Sequence, residues 1–124
     1  VYYIQYAHAR IHSIFNQVKE AGIAYGDWAN TTFTVLQGEQ EVELIKKLAA
    51  YPEEEQLSAN NKAPHRIAKY LYDLASLFHS FYKQGRIMGV EPELQQARLG
   101  LITATAHVLQ HGLGILGISA PEKM

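Results

Sequence analysis

The sequence predicts an all-α domain, a helical bundle of about four to five helices. Three observations carry that expectation. Apolar residues recur at steps of three and four through most of the chain, the period of a helix with one buried face. No segment keeps the apolar–polar alternation of a half-buried strand. Glycines and prolines fall between the periodic segments, at Gly22, Gly26, Gly38, Pro52, Pro64, Gly89 and Pro92, where they end helices or open new ones.

The first helix is expected from Val1 to about Glu20, with Ile4, Ala7, Ile11, Ile14 and Val18 on one face. Gly22 and Gly26 end it. The stretch to Gly38 reads as irregular, because Asn30, Thr31 and Thr32 favour turns, and Trp28 and Phe33 are expected to pin it to the core. A second helix is expected from about Glu41 to Ala50, with Val42, Ile45, Leu48 and Ala49 inward and acidic residues near its positive end. Pro52 stops it, and a short helix from Glu53 to Ala59 follows. Asn60 to Ala63 is a turn, and Pro64 suits the first turn of the next helix. That helix, Pro64 to Ile87, has the strongest signal: Ile67, Leu71, Leu74, Phe78 and Phe81 form a stripe, widened by Tyr70 and Leu77. It would be about 36 Å long. Met88 to Val90 breaks it. Pro92 then opens a last helix that ends near Gly112, with Leu94, Ala97, Leu101, Ala104 and Val108 on its inner face. The apolar, glycine-rich tail is expected to pack back on the bundle.

A chain of 124 residues fits one domain, residues 1–124, with a single core. The absence of cysteine excludes disulfides, thiolate zinc sites and cysteine nucleophiles. No apolar run approaches the ~18 residues of a membrane span. The opening Val-Tyr-Tyr-Ile-Gln reads as helix interior, so the chain is expected to be a piece of something longer. Its net charge of −1 gives no bulk drive toward nucleic acid, but the charges are unevenly spread. Glu39, Glu41, Glu43, Glu53, Glu54 and Glu55 fall together, and Lys62, Arg66, Lys69, Lys83 and Arg86 follow with only Asp73 among them. Such asymmetry hints at a basic face, although a solvated surface is its commoner meaning.

Catalytic chemistry finds little support. His8 and His12, like His107 and His111, have the four-residue spacing of helical metal ligands, but neither pair encloses the glutamate of a zinc hydrolase motif. No metal site is expected. Glu53 to Glu55 reads as a solvated run, and Asp73 with Lys69 as an ordinary surface pair. Gly112, Gly114 and Gly117 follow a helix instead of opening one, so no phosphate-cradling loop is present. The aromatic and basic residues are more informative. Tyr2, Tyr3 and Tyr6 share the first helix with Arg10, while Tyr70, Tyr72 and Tyr82 share the fourth with Arg66 and Arg86. Aromatic or guanidinium planes stack on unpaired RNA bases while cations hold phosphates. For any one tyrosine, a place at the edge of the core is the more ordinary role.

Five strings point further. Tyr3-Ile4-Gln5-Tyr6-Ala7-His8-Ala9-Arg10-Ile11 resembles the first helix of the C-terminal domain of arginyl-tRNA synthetases. Glu43-Leu44-Ile45-Lys46-Lys47-Leu48 with Tyr51-Pro52 is similar to that domain's second helix. Pro64-His65-Arg66-Ile67-Ala68-Lys69-Tyr70-Leu71-Tyr72-Asp73-Leu74-Ala75, followed by Phe81-Tyr82, resembles its central helix. Gln96-Ala97-Arg98-Leu99 resembles the motif that names the DALR anticodon-binding domain. The run from Gly112 to Met124 is similar to the family's ending. The strings occur in the family's order and cover nearly the whole chain. Lys123 stands where arginine is common, which weakens any bidentate contact there, and His111 stands where asparagine is frequent.

The resemblance implies a DALR-type bundle that grips the anticodon stem and loop of arginine tRNA and inspects its splayed bases, notably the middle cytosine. It implies an upstream catalytic domain in the same polypeptide, which joins arginine to tRNA with ATP and magnesium. The signatures of that domain, His-Ile-Gly-His-like and Lys-Met-Ser-Lys-like, are absent here. The chain alone is therefore expected to have no ligase activity and no cofactor. Carried over by motif, the anticodon-binding candidates are Tyr6, Tyr82, Arg86 and Met124, with Tyr82 the preferred stacking partner. Arg10, Arg66 and Lys69 are candidate phosphate contacts, with helix–helix pairing the competing role for Arg10 and Arg66. His8 and His65 are expected to hold helices by hydrogen bonds, and Arg98 to act as an internal brace. A bacterial-type tail implies a cytoplasmic bacterial enzyme, with no membrane or DNA as partner. The readings left beside this one are a helical protein-interaction module and a His-lined metal protein.

Overall fold

The computed structural model describes residues 1–124, which form five α-helices and no strand. They are α1 (Tyr2–Glu20), α2 (Glu39–Ala49), α3 (Tyr51–Asn60), α4 (Pro64–Gln84) and α5 (Pro92–Ile115). Between α1 and α2 the chain makes two single turns of 3-10 helix, Trp28–Asn30 and Phe33–Val35. α4 and α5 form the centre, with α1 packed across both, α2 across both from another side, and α3 on α4. Ile11, Ile67, Leu71, Leu74, Phe78, Phe81, Leu99, Ile102, Leu109 and Leu113 are fully buried where they meet. No helix is long and apolar enough to cross a membrane.

The stripes expected on α1 and α4 are the buried ones. On α2 the buried residues are Glu41 and Leu44; Leu48 packs on the core as expected, while Ile45 is 38% exposed and Ala49 also faces out. Apolar spacing missed this phase because a charged residue occupies an inward position. The Glu41 carboxylate is held there by Arg98 Nε at 2.8 Å and by the Gly38 backbone N–H at 2.9 Å. On α5, Ala97 and Leu101 are buried and Leu94 and Val108 pack on the core as expected, but the inner face is broader than that stripe. Ala104 is exposed, and Gln95, Leu99, Ile102, Thr105, Ala106 and Leu109 are buried. α5 is covered from several directions, so one amphipathic stripe does not describe it.

Helix ends shift for identifiable reasons. α4 stops at Gln84, making it about 32 Å long, because Gly85 is extended at φ −99, ψ 95. Gln95 Nε2 then donates to the Ile87 carbonyl at 3.0 Å and fastens the loop that follows. α3 begins at Tyr51, with Pro52 in its first turn where a missing N–H costs nothing. α5 runs three residues past Gly112, because Gly112 is a packing site: a Cβ there would lie 2.6 Å from Leu71 Cδ2. The residue that ends α5 is Gly117, left-handed at φ 72, with Ile118 N–H donating to the Leu113 carbonyl at 2.9 Å. This is the Schellman arrangement.

The irregular segment is pinned as expected, with Trp28 and Phe33 lying over Gly100. The tail packs back as well: Ile118 and Ala120 contact the core. His65 is a correction. It is exposed, because it sits in the first turn of α4 on the side away from the bundle, and it holds no neighbouring helix.

Candidate nucleic-acid interface

α1 presents its buried residues to the bundle and leaves Tyr6, Arg10, Ser13 and Gln17 on an adjoining face, at the spacings of successive helical turns. The C-terminal end of α4 brings Tyr82 alongside, and the returning tail brings Glu122, Lys123 and Met124. Together these residues line a groove of about 600 Å³. Across Arg10, Ile14, Gln17 and Tyr82 it continues into a second hollow of about 410 Å³, which reaches Lys83, Arg86 and Met88. Tyr6 is 41% and Met124 53% exposed, so both are open to a ligand.

The groove is organised before any ligand arrives. The Arg10 guanidinium lies 4.7 Å from the Tyr82 ring centre, a cation–π contact. Phe78 stacks on Tyr82 at 5.9 Å with planes 10° apart. Arg10 Nη1 lies 3.4 Å from His79 Nδ1. Arginine only donates, so Nδ1 accepts and the imidazole is neutral. Burial first, and the Arg10 charge second, hold the His79 pKa below its ordinary value. His79 also packs against Tyr3 and Tyr6 at 5.2 and 5.9 Å.

The charge balance favours an anion. Arg10, Lys83, Arg86 and Lys123 form no ion pair, and Glu122 is the one acid lining either hollow. Because α4 ends at Gln84, Arg86 lies on the following loop and does not share a helical face with Tyr82. It borders the same hollow nonetheless.

Arg66 and Lys69 lie elsewhere. They sit in the first half of α4, with Lys69 about 20 Å along the helix from Tyr82. Arg66 makes a two-pronged contact with Glu54, at 2.8 and 3.2 Å. Lys69 contacts Asp73 at 3.1 Å, and Lys47 reaches the same carboxylate at 3.8 Å. Arg66 thus joins α4 to α3. Tyr70 and Tyr51 are core residues, with phenols bonded to the Lys47 carbonyl and to His111 Nδ1. Burial, with Glu55 second, pushes the Tyr51 pKa up to about 12.

Three of the four paired histidines have polar partners of their own. His8 Nδ1 meets the Pro121 carbonyl at 2.9 Å, His12 faces Glu122 at 3.8 Å, and His111 faces Glu55 at 3.4 Å. Arg98 braces, bonding Glu41 and the Arg86 carbonyl, the latter at 2.7 Å. Residue-by-residue reading missed Asn16 and Gln17, which line the groove with Tyr6 and Arg10. Gln17 carried a signal, its place on the same face of α1 about two turns beyond Arg10; Asn16, off that face by helical spacing, carried none.

Residues 4–124 match the family model described as the DALR anticodon binding domain. The chain belongs to that family. This DALR domain is 49% identical over its whole length to an arginine–tRNA ligase of Caldanaerobacter subterraneus, and 50% identical to one of Desulforamulus reducens. It spans 22% of the length of each. Among solved structures, the arginyl-tRNA synthetase of Thermus thermophilus superposes on 98% of the DALR domain with a TM-score of 0.82 and 32% identity, the match covering 21% of that chain. A putative arginyl-tRNA synthetase of Campylobacter jejuni gives 0.84 and 28% identity over 99% of the domain and 26% of its own chain.

Proposed function

We propose that this DALR domain receives the anticodon loop of arginine tRNA in the groove between α1, α4 and the tail. In this reading it serves a longer enzyme that joins arginine to that tRNA. The observation that carries the proposal is convergence. Tyr6, Arg10, Tyr82, Arg86 and Met124 come from three separate stretches of the sequence and line one continuous groove. In this reading Tyr6 and Tyr82 offer aromatic planes to splayed bases, Met124 packs against a base edge, and Arg10, Lys83, Arg86 and Lys123 meet phosphates. Arg66 and Lys69, already paired with carboxylates, contribute less. ATP and magnesium belong to the ligation chemistry of the longer enzyme; the residues of this groove are suited to RNA.

The test is a titration with arginine tRNA and with a copy altered at the middle anticodon base, at two salt concentrations. Preferential binding to the unaltered tRNA is expected. Four phosphate contacts to a single strand give a log–log salt slope of about −3. Equal binding to both RNAs would reduce the groove to a basic patch without base readout.

A further inference from the structure

We infer that Gln5, His8 and His12 form a seat on α1 that positions the C-terminal tail, and through it Met124, in the groove. The inference rests on the RNA-binding reading for its functional consequence, though not for its geometry. Gln5 Nε2 donates to the Ser119 carbonyl at 3.0 Å, His8 Nδ1 to the Pro121 carbonyl at 2.9 Å, and His12 Nδ1 lies 3.8 Å from Glu122. The spacing is matched. From Gln5 to His12 α1 rises about 10.5 Å, and from Ser119 to Glu122 an extended chain covers about 10 Å. The tail therefore runs alongside α1 in the same direction and delivers Met124 beside Ser13 and Asn16, where it lines the groove.

Nothing else in the backbone holds this segment. The last backbone–backbone hydrogen bond is that of Ile118 to Leu113, and none forms from Ser119 onward. His8 is the centre of the seat. It is 1% exposed, and its Nδ1 must carry the proton because a carbonyl can only accept. Its Nε2 is buried without a partner. A buried imidazole with one nitrogen idle and the other on the tail is explained by the tail contact. The His8 and His12 rings also pack together, 4.6 Å apart and tilted by 48°, so the seat is one unit.

The test follows the methyl group of Met124. The chain has two methionines, Met88 and Met124, so methyl-labelled protein gives two signals, one of them an internal control. His8→Leu removes the donor and keeps apolar bulk, and His8→Asn restores an N–H near the position of Nδ1. In His8→Leu the Met124 methyl is expected to move to its disordered-chain shift and sharpen, with Met88 unchanged; His8→Asn is expected to return it. Should His8→Leu unfold, the Gln5→Ala/His12→Ala double variant, altered at partly exposed positions, is read the same way. A Met124 signal unmoved in the folded variant overturns the seat.

The second arm measures affinity for an RNA hairpin carrying an arginine anticodon. His8→Leu is expected to lose about tenfold, and to lose nothing further in a chain ending at Ala120. Independent, multiplying losses would show that His8 acts on RNA without the tail. If the unaltered chain binds no RNA, the groove reading fails, while the methyl shift still decides the seat.

Discussion

At the scale of single residues, Tyr82 shows how packing fixes a side chain at the edge of the groove. Phe78 and Arg10 fix its plane, so little rotamer freedom remains to be lost on binding. Tyr82→Ala is expected to weaken RNA binding by about tenfold, within the roughly 1–3 kcal/mol of a stacked base. Fluorescence anisotropy would measure it, with circular dichroism showing that the helices persist. His79 gives a second residue-level expectation. Its pKa is lowered in the folded protein, as is that of His12. Between the lowered values and the ordinary 6.5, the unfolded chain binds more protons, and stability rises with pH. The contribution is complete above 6.5 and is lost as acidification carries the folded groups through their own pKa values. Melting temperature should therefore fall from about pH 7.5 to about pH 5.5. His79→Gln, lacking the titrating ring, should flatten the slope; an unchanged slope would assign it to other groups.

At the scale of elements, the helices are joined by contacts that hydrophobic spacing does not announce. Glu41 on α2 and Arg98 on α5 make a largely buried ion pair, with side chains 8% and 16% exposed. Removing one partner strands the other charge. Glu41→Ala is expected to cost about 3–5 kcal/mol in urea unfolding, and replacing both partners by apolar residues of similar volume should cost much less. Arg98 also holds the Arg86 carbonyl, so the same pair steadies the loop that borders the groove. Gly112 governs how closely α5 approaches α4. Gly112→Ala forces its new methyl against Leu71 and is expected to destabilise by about 1–3 kcal/mol, despite alanine's better helix propensity. Thermal denaturation gives the sign directly: a gain in stability would mean that Leu71 moves aside freely.

At the scale of the whole molecule, charge is segregated although the total is near zero. The acids of α2 and α3 are partly consumed by Arg66, Arg98 and Lys46, whereas the cations around the groove are unpaired. A nearly neutral chain thereby presents a cationic site, whose field acts mainly within the roughly 8 Å Debye length at physiological salt. One core joins all five helices and the irregular segment, so unfolding should be a single transition. Helix content and the fluorescence of Trp28, the one tryptophan, should change together in urea. An earlier Trp28 transition would make residues 21–38 a separately melting unit.

Much of the fold was legible in the sequence, because helical periodicity and the punctuation by proline and glycine are local properties. The order of the five helices, the buried stripes of α1 and α4 and the return of the tail follow from them. Tyr6, Tyr82, Arg86 and Met124 were picked out by resemblance to a family's motifs, and their convergence on one groove needed the chain to be folded. What only the tertiary structure decided concerns partners. Arg66 and Arg10 are both half-buried arginines on amphipathic helices, yet one is neutralised by Glu54 and the other lies on Tyr82. Glu41 is inward because Arg98 is opposite, and Gly112 is small because Leu71 is opposite. His8 holds the tail because residues 113 positions away return to it. A helix's period can be read along the chain, but the group that meets each side chain is set by packing between segments distant in sequence.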